Sequence, residues 1–464
     1  MRFITQQNRV APIFFILRFM MGCHDMDAYQ PITSFIKQDK MEQKILDLNT
    51  DQSKNTKKKP SNEESNPSDA HSDVKLIGRN ITESDEEEEE EDSKDKPFIE
   101  KAIPDEHFRK CIESKFEDYS KITYLHCRNK NIKTVEGLEL LENLEELDLR
   151  QNSLSKIDLS KNTKLQSLNL SGNPISAIDI SENRELAWLF LTGVPVLEID
   201  VGNNVNLTWL DLSATNISTV DLSNNNFLIW LLLSDSNLEA INLQNNIMLE
   251  RIDLSGTHIS TLDTSKNSRL EKLELSDTNI SDIDLGNNRA LHTLDLSGSD
   301  ISSFNMNMVD TTKNCSDAGW QLKRINLSRT KIDNPDNVKL PTCSTKFIDL
   351  SKTKISSFNP AKYKSLKSLY LSGTLIEDLD LTANKPLEML DVSKTGLLSI
   401  NLQKSKKLRW LNISETQITT LNLDIEEPEK LEVFLAPNTT VTFNSDSTDF
   451  DTKFYKDPQD PAFW

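Results

Sequence analysis

The chain is predicted to be a repeat solenoid, mainly parallel β, of about 15 coils behind an N-terminal helical cap. Two observations predict it. From Leu144 to about Met306 a stretch of 21 residues recurs with small edits, as LTWLDLSATNISTVDLSNNNF from Leu207, LERIDLSGTHISTLDTSKNSR from Leu249 and LEKLELSDTNISDIDLGNNRA from Leu270. Within each copy the apolar residues fall in two short alternating runs, such as WLDLS and TVDLS, which have the period of a strand. A single coil cannot bury its apolar face, so the copies must stack on one another.

Composition limits the partners. The formal charge of -20 argues against nucleic acid, whose phosphates require a basic footprint. No apolar run reaches the ~20 residues of a membrane span. At the N-terminus Arg2 and Arg9 precede the apolar stretch Val10 to Gly22, which Arg18 interrupts, and this is the pattern of a secretory signal. The stretch ends Met20-Met21-Gly22-Cys23, which resembles a bacterial lipobox with Cys23 as the acylated residue. The acidic HDMD that follows is similar to surface-export signals of some bacterial lipoproteins. Residues 1–23 are therefore expected to be a signal or lipoprotein segment, with Cys23 as a membrane tether. Residues 24–96 are rich in Lys, Asp, Glu, Ser, Asn and Gln, with an unbroken acidic run from Asp85 to Asp92. Such a segment is expected to remain a disordered linker.

Residues 97–121 form the expected cap. Phe108, Ile112 and Phe116 recur at helical spacing after Asp105, a helix-starting residue, so one amphipathic helix is expected to face the first coil. The first repeat starts at Ile122. Clean copies follow from Leu144, Leu165, Leu186, Leu207, Leu228, Leu249, Leu270 and Leu291, then from Leu322, Thr345, Leu366, Leu387 and Leu408, with a partial copy at Leu431. The solenoid thus covers 122–443, with irregular coils near 304–346. Residues 444–464 are expected to be a C-terminal cap or tail.

The motif LxxLxLxxN is the leucine-rich-repeat signature, and the chain resembles bacterial leucine-rich-repeat surface proteins, broadly internalin-like, of the 21-residue class with nested half-repeats. The IPD-plus-phenylalanine cap is similar to the one that precedes those arrays. The resemblance implies architecture and a binding role, and leaves the ligand open. The nested halves predict a strand on each of two opposite sides of the coil, hence two parallel sheets. Asn162, Asn183, Asn204, Asn225, Asn246, Asn267 and Asn288 are expected to form a buried ladder at the second turn. The first turn departs from the family by using mostly threonine, among them Thr215, Thr257, Thr278, Thr330, Thr353, Thr374, Thr395 and Thr416. Threonine offers one donor where asparagine offers an amide, so this turn is expected to be tighter and less strongly bonded.

Function is sought where the repeat does not dictate the residue. Trp188, Trp209 and Trp230 occupy the third position of three successive first strands, and Trp410 much later, with Phe190 and Leu232 at the fifth. Stacking is expected to place them in one exposed column, a candidate partner-binding site. Two other readings remain open: aromatic stacking that only stabilises the sheet, and carbohydrate binding on the indole faces. The second strand carries Asp158, Asp179, Asp200, Asp221, Asp263, Asp284 and Asp380, expected to be solvated carboxylates, with a cation ladder or electrostatic steering as alternatives. Cys315 and Cys343 lie in adjacent irregular stretches and are expected to pair if the protein is exported. Cys111 and Cys127 are a second possible pair, against which the inward position of Cys127 counts. The histidines show no metal spacing, and no phosphate loop or nucleophile elbow is present, so neither a cofactor, a metal nor an enzyme is expected. The resulting expectation is an exported, surface-tethered protein-binding module that meets a host or neighbouring-cell protein. The alternatives are an untethered intracellular effector or scaffold, and a carbohydrate-binding module.

Overall fold

The computed structural model describes residues 101–113, 119–306, 319–427, 430–434, 439–443 and 453–455. The expected signal segment with Cys23, the acidic linker, Phe116 and Cys315 lie outside the described residues. One parallel sheet of 16 strands runs through the molecule, from Tyr124–His126 to Lys453–Tyr455. Most strands are three residues long, one per coil, and each pairs in register with the next. The middle residues Leu147, Leu168, Leu189, Leu210, Leu231 and Ile252 of successive strands point inward and are all fully buried. At roughly 1.5–3 kcal/mol for each fully buried Leu or Ile, this column and the flanking leucines hold the coils together.

The expected second sheet is not continuous. On that side only Phe304–Asn305 with Val338–Lys339, and Thr420–Leu423 with Thr440–Phe443, form ladders among the described residues. Elsewhere the neighbouring coils exchange a single backbone bond at the start of the second half, such as Asn216 N–H to Val196 O at 3.1 Å. The central apolar residue of the second half is half-buried at Ile157, Ile178, Val220 and Ile241 and buried at Ile199, Leu262, Ile283 and Leu379, and none of these segments forms a ladder with its neighbours. Where the ladders form, Phe304 and Leu421 sit deep, at 2% and 0% exposure.

The cap is a helix, Glu106–Glu113, started by Asp105. Asp105 Oδ1 accepts from the backbone N–H groups of His107 and Phe108, both at 3.0 Å, which is N-capping. Its Oδ2 accepts from Lys133 N–H at 2.8 Å and Thr134 N–H at 3.2 Å in the first coil, so one carboxylate ties the helix to the array. Phe108 and Ile112 are fully buried. Gly137, at φ +94°, lets the chain pass under Ile103, whose Cγ1 a Cβ there would approach to 2.6 Å.

A disulfide joins Cys111 of this helix to Cys127 of the first coil, with Cα atoms 5.9 Å apart. This corrects the expectation that the inward position of Cys127 counts against pairing. The first coil has no preceding coil, so its inward end faces the cap helix, and the inward thiol meets Cys111 there. At the other end Lys453–Tyr455 adds the last strand of the main sheet, within the stretch expected to be a cap or tail.

Candidate binding face

Residues on either side of each inward leucine point out of the main sheet, and register stacks them in columns. Trp188 pairs with Trp209 and Trp209 with Trp230, as the repeat predicts. Their exposure does not follow the prediction. Trp188, Phe190 and Leu232 are buried, at 4%, 8% and 8%, and only Trp209 and Trp230 remain half-buried. Rings on stacked coils cover one another. Phe190 and Trp209 meet edge to face with centroids 5.0 Å apart, and Trp209 and Trp230 do so at 4.3 Å. Trp188 Nε1–H donates to Thr208 Oγ1 at 3.1 Å. The column is therefore a packed aromatic stack that shows part of two indoles to solvent.

The column beside it is acidic. Asp148, Asp211, Asp349 and Asp391 are buried, and Asp253 and Asp295 half-buried. Each accepts the backbone N–H two residues on, as Asp211 does from Ser213 at 3.0 Å and Asp349 from Ser351 at 2.8 Å. The recurrent Asp-Leu-Ser is thus a turn clasp. Burial pushes the Asp253, Asp349 and Asp391 carboxyls up, and Glu274 adds to this at Asp253. Thr192 Oγ1 also donates to Asp211 Oδ2 at 2.9 Å, beside the tryptophans.

A second aromatic run lies farther along the same face. Phe347 and Tyr370 are 5.1 Å apart, Tyr370 and Trp410 6.2 Å, and Trp410 and Phe434 5.7 Å. The Arg324 guanidinium lies 4.3 Å over the Phe347 ring. Burial, with Asp349 and Asp391 nearby, pushes the Tyr370 hydroxyl up to about 12. Apart from the isolated Trp410, sequence reasoning missed this run because its members alternate between the third and fifth strand positions. Reading both columns together finds it.

Comparison with known proteins agrees with this geometry. Residues 142–183 match the model of leucine-rich repeats in two copies. No curated protein matches the chain. Among solved structures, the functional domain of InlJ from Listeria monocytogenes, described as including a cysteine ladder, is 24% identical over 73% of this chain and 75% of its own, with a TM-score of 0.64. A Leptospira interrogans leucine-rich-repeat protein is 20% identical over 72% and 98%, with a TM-score of 0.57. The internalin InlF of Listeria monocytogenes is 22% identical over 75% and 97%, at 0.54. The chain has a leucine-rich-repeat fold similar to that of the listerial internalins.

Its two leucine-rich-repeat ladders differ as the residue types require. Asn183 is fully buried and its amide donates to Leu159 O at 3.0 Å and Asn162 O at 2.9 Å, so it bonds across coils. Thr215 Oγ1 donates only within its own turn, to Leu212 O at 2.6 Å, and Thr257 to Leu254 O at the same distance. The second and third coils still use asparagine at this turn, Asn152 and Asn173, where the first coil has Lys130. Asn152 accepts from Lys130 N–H and Ile132 N–H and donates to Cys127 O and Leu149 O.

The exposed aspartates of the second half are also turn clasps. Asp158, Asp179 and Asp221 each accept from the Ser N–H two residues on at 2.9 Å. That bond, then the serine hydroxyl, holds their carboxyls below the ordinary range. Among the described residues no group of three or more His, Cys, Asp or Glu is placed to hold a metal ion. Cys343 is disulfide-bonded.

Proposed function

We propose that this leucine-rich-repeat module is an exported, surface-tethered protein that binds a protein partner, of host or neighbouring-cell origin, through its main sheet. The observation that carries the reading is the stacked aromatic cluster Trp188, Phe190, Trp209, Trp230 and Leu232, which offers Trp209 and Trp230 to solvent on a preformed, rigid face. Anchors already held by packing lose little side-chain entropy on binding, and partly exposed tryptophans rank among the commonest hot spots. In each edge-to-face contact one ring's face is covered by its neighbour's edge, which leaves less free indole face for a sugar and favours a protein over a carbohydrate.

Export is supported by disulfide-bonded Cys111, Cys127 and Cys343, since such bonds persist in oxidising compartments. Pairing of Cys343 with Cys315, and acylation of Cys23 as the membrane tether, belong to the same reading. Two measurements test it. Wild-type protein and the Trp209→Ala/Trp230→Ala variant are used to capture partners from host-cell and bacterial surface extracts, with melting temperatures recorded. Capture lost in the variant with a small melting change supports the binding face, whereas equal capture by both overturns it. Mass spectrometry of the mature N-terminus should show lipid on Cys23, and an intact Met1 overturns the tether.

A further inference from the structure

The apolar surface of the tryptophan coils does not stop at the sheet. The last two residues of each copy, just before the next first-strand leucine, lie on the edge beside the asparagine ladder. In most coils this pair includes a cation: Thr163-Lys164, Arg184-Glu185, Ser268-Arg269, Arg289-Ala290, Lys385-Pro386 and Lys406-Lys407. In three successive coils it does not, and reads Val205-Asn206, Asn226-Phe227 and Ile247-Met248. Val205, Phe227 and Ile247 are 44%, 58% and 53% exposed, far more than any member of the tryptophan stack. Phe227 enters the strand that carries Trp230, with half-buried Ile229 between them, so edge and sheet form one surface.

Charge singles out the same coils. From Glu185 to Glu250 the sequence has eight carboxylates (Glu185, Glu198, Asp200, Asp211, Asp221, Asp235, Glu239 and Glu250) and no Lys, Arg or His. Elsewhere cations are frequent, with 53 Lys and Arg in 464 residues. Three coils that are apolar on one edge, aromatic on the sheet and free of cations throughout therefore make one distinct block. No cation within these coils offsets the carboxylate field, and Arg251, in register beside Trp230, bonds Glu274 of the next coil, so the field favours a basic partner.

We infer that the partner site is this block, wrapping from Trp209 and Trp230 over Phe227, Val205 and Ile247, and that its occupant is a protein segment presenting apolar side chains interspersed with Lys and Arg. The inference rests on the binding reading given above and adds the edge and the partner's charge to it. A second copy of the chain is disfavoured as occupant, because it would set the same acidic, cation-free coils against each other.

The test uses three short synthetic peptides: Leu alternating with Lys, Leu with Glu, and Ser with Lys. Each is titrated into the full chain, its Phe227→Ser/Ile247→Ser variant and its Trp209→Ala/Trp230→Ala variant, with melting temperature as a control. The Leu-Lys peptide should bind the full chain, weaken with salt, and lose about tenfold in affinity in the edge variant at unchanged melting temperature, since about 1.4 kcal/mol separates each tenfold step. Equal binding of the Leu-Glu peptide, or of the Ser-Lys peptide, overturns the inference. Binding lost only in the tryptophan variant leaves the sheet reading standing and overturns the edge. Binding lost only in the edge variant keeps the edge and removes the tryptophans from the site. Concentration-dependent dimers in sedimentation that vanish in the edge variant would make the occupant a second copy, and overturn the inference too.

Discussion

The hydroxyl of Thr264 donates a 2.9 Å hydrogen bond to Oδ1 of Asn288 in the next coil. Thr264 stands where the other coils have Leu159, Ile180, Val201, Leu222, Leu243 and Leu285, and it is fully buried. In those coils the ladder amide uses both N–H groups, but the oxygens of Asn162, Asn183, Asn204, Asn225, Asn246 and Asn267 face the apolar core without a hydrogen-bond partner. Asn288 donates to Thr264 O at 3.2 Å and Asn267 O at 2.9 Å as well, so its side chain is satisfied at both ends. Thr264→Val keeps the shape and removes one bond, and should lower stability by about 1 kcal/mol. Asn288→Ala strands two buried carbonyls and the Thr264 hydroxyl, and should cost about 3 kcal/mol. Urea midpoints of the two variants check the order, and equal losses would refute it.

The ladder shows what a repeat makes legible. Spacing alone identified Asn162 to Asn288 as a buried ladder and predicted the weaker bonding of Thr215 and Thr257, and the structure adds that the amides bond across coils while each hydroxyl closes its own turn. The aromatic stack was legible as a column and not as a surface. Register follows from the period, but exposure depends on ring orientation, and the edge-to-face packing of Phe190, Trp209 and Trp230 is not written in their spacing. The same limit explains the second sheet. Alternation in TVDLS marks an extended segment, but burial of its central residue does not by itself make a ladder, since Ile199, Leu262 and Ile283 are buried in segments that form none. The Asp-Leu-Ser clasp was legible in hindsight, since Asp followed two residues later by Ser recurs in both halves and is a known turn former.

Asp105 joins the cap to the array, and its removal should act locally. Burial works to raise its pKa, but the backbone N–H groups of Lys133, Phe108, Thr134 and His107 together outweigh that and hold the carboxyl below 3.8. A folded value below the unfolded one adds stability above pH 3.8 that is lost as pH falls through the folded value. Asp105→Ala should therefore cost about 1–2 kcal/mol, the upper range for an N-cap. Its effect should shrink under acid, where the wild type has lost the same interaction. Hydrogen exchange at Lys133, Thr134 and Phe108 should accelerate at neutral pH while Leu273 and Leu294 amides stay protected. Uniform acceleration along the array would contradict this local role.

The disulfide acts on the same junction by another route. Cys111 and Cys127 are 16 residues apart, and closing a loop of about that length removes roughly 3 kcal/mol worth of unfolded-chain freedom. Replacing both with Ala should destabilise by about 2–3 kcal/mol, and first-coil amides such as Leu125 should show the largest loss of protection. A repeat array unfolds by neighbour contacts, so coils beyond Leu249 should respond little. Calorimetry together with residue-resolved exchange separates this from global destabilisation, in which all coils would loosen together.

Asp349 makes the sharpest pH prediction. Burial, with Asp391 and Asp295 nearby in its column, holds its carboxyl above the ordinary 3.8, while Ser351 pulls the other way. Because the folded value exceeds the unfolded one, the folded chain holds this proton more tightly. Stability is then greatest below pH 3.8, falls as pH rises through the folded value, and stays lowered at neutrality. Asn326 and Asn412 occupy the same column, and each accepts the serine N–H two residues on, at 3.0 Å and 3.1 Å. An amide therefore keeps the clasp without the charge. Asp349→Asn should raise the urea midpoint at pH 7, and the gain should shrink steadily toward pH 4 as the wild-type carboxyl takes up its proton. If the variant is less stable at pH 7, the ionised carboxylate has a partner that favours its charge, and the column is a set of stabilising anions. A gain that does not depend on pH would mean that the effect comes from packing.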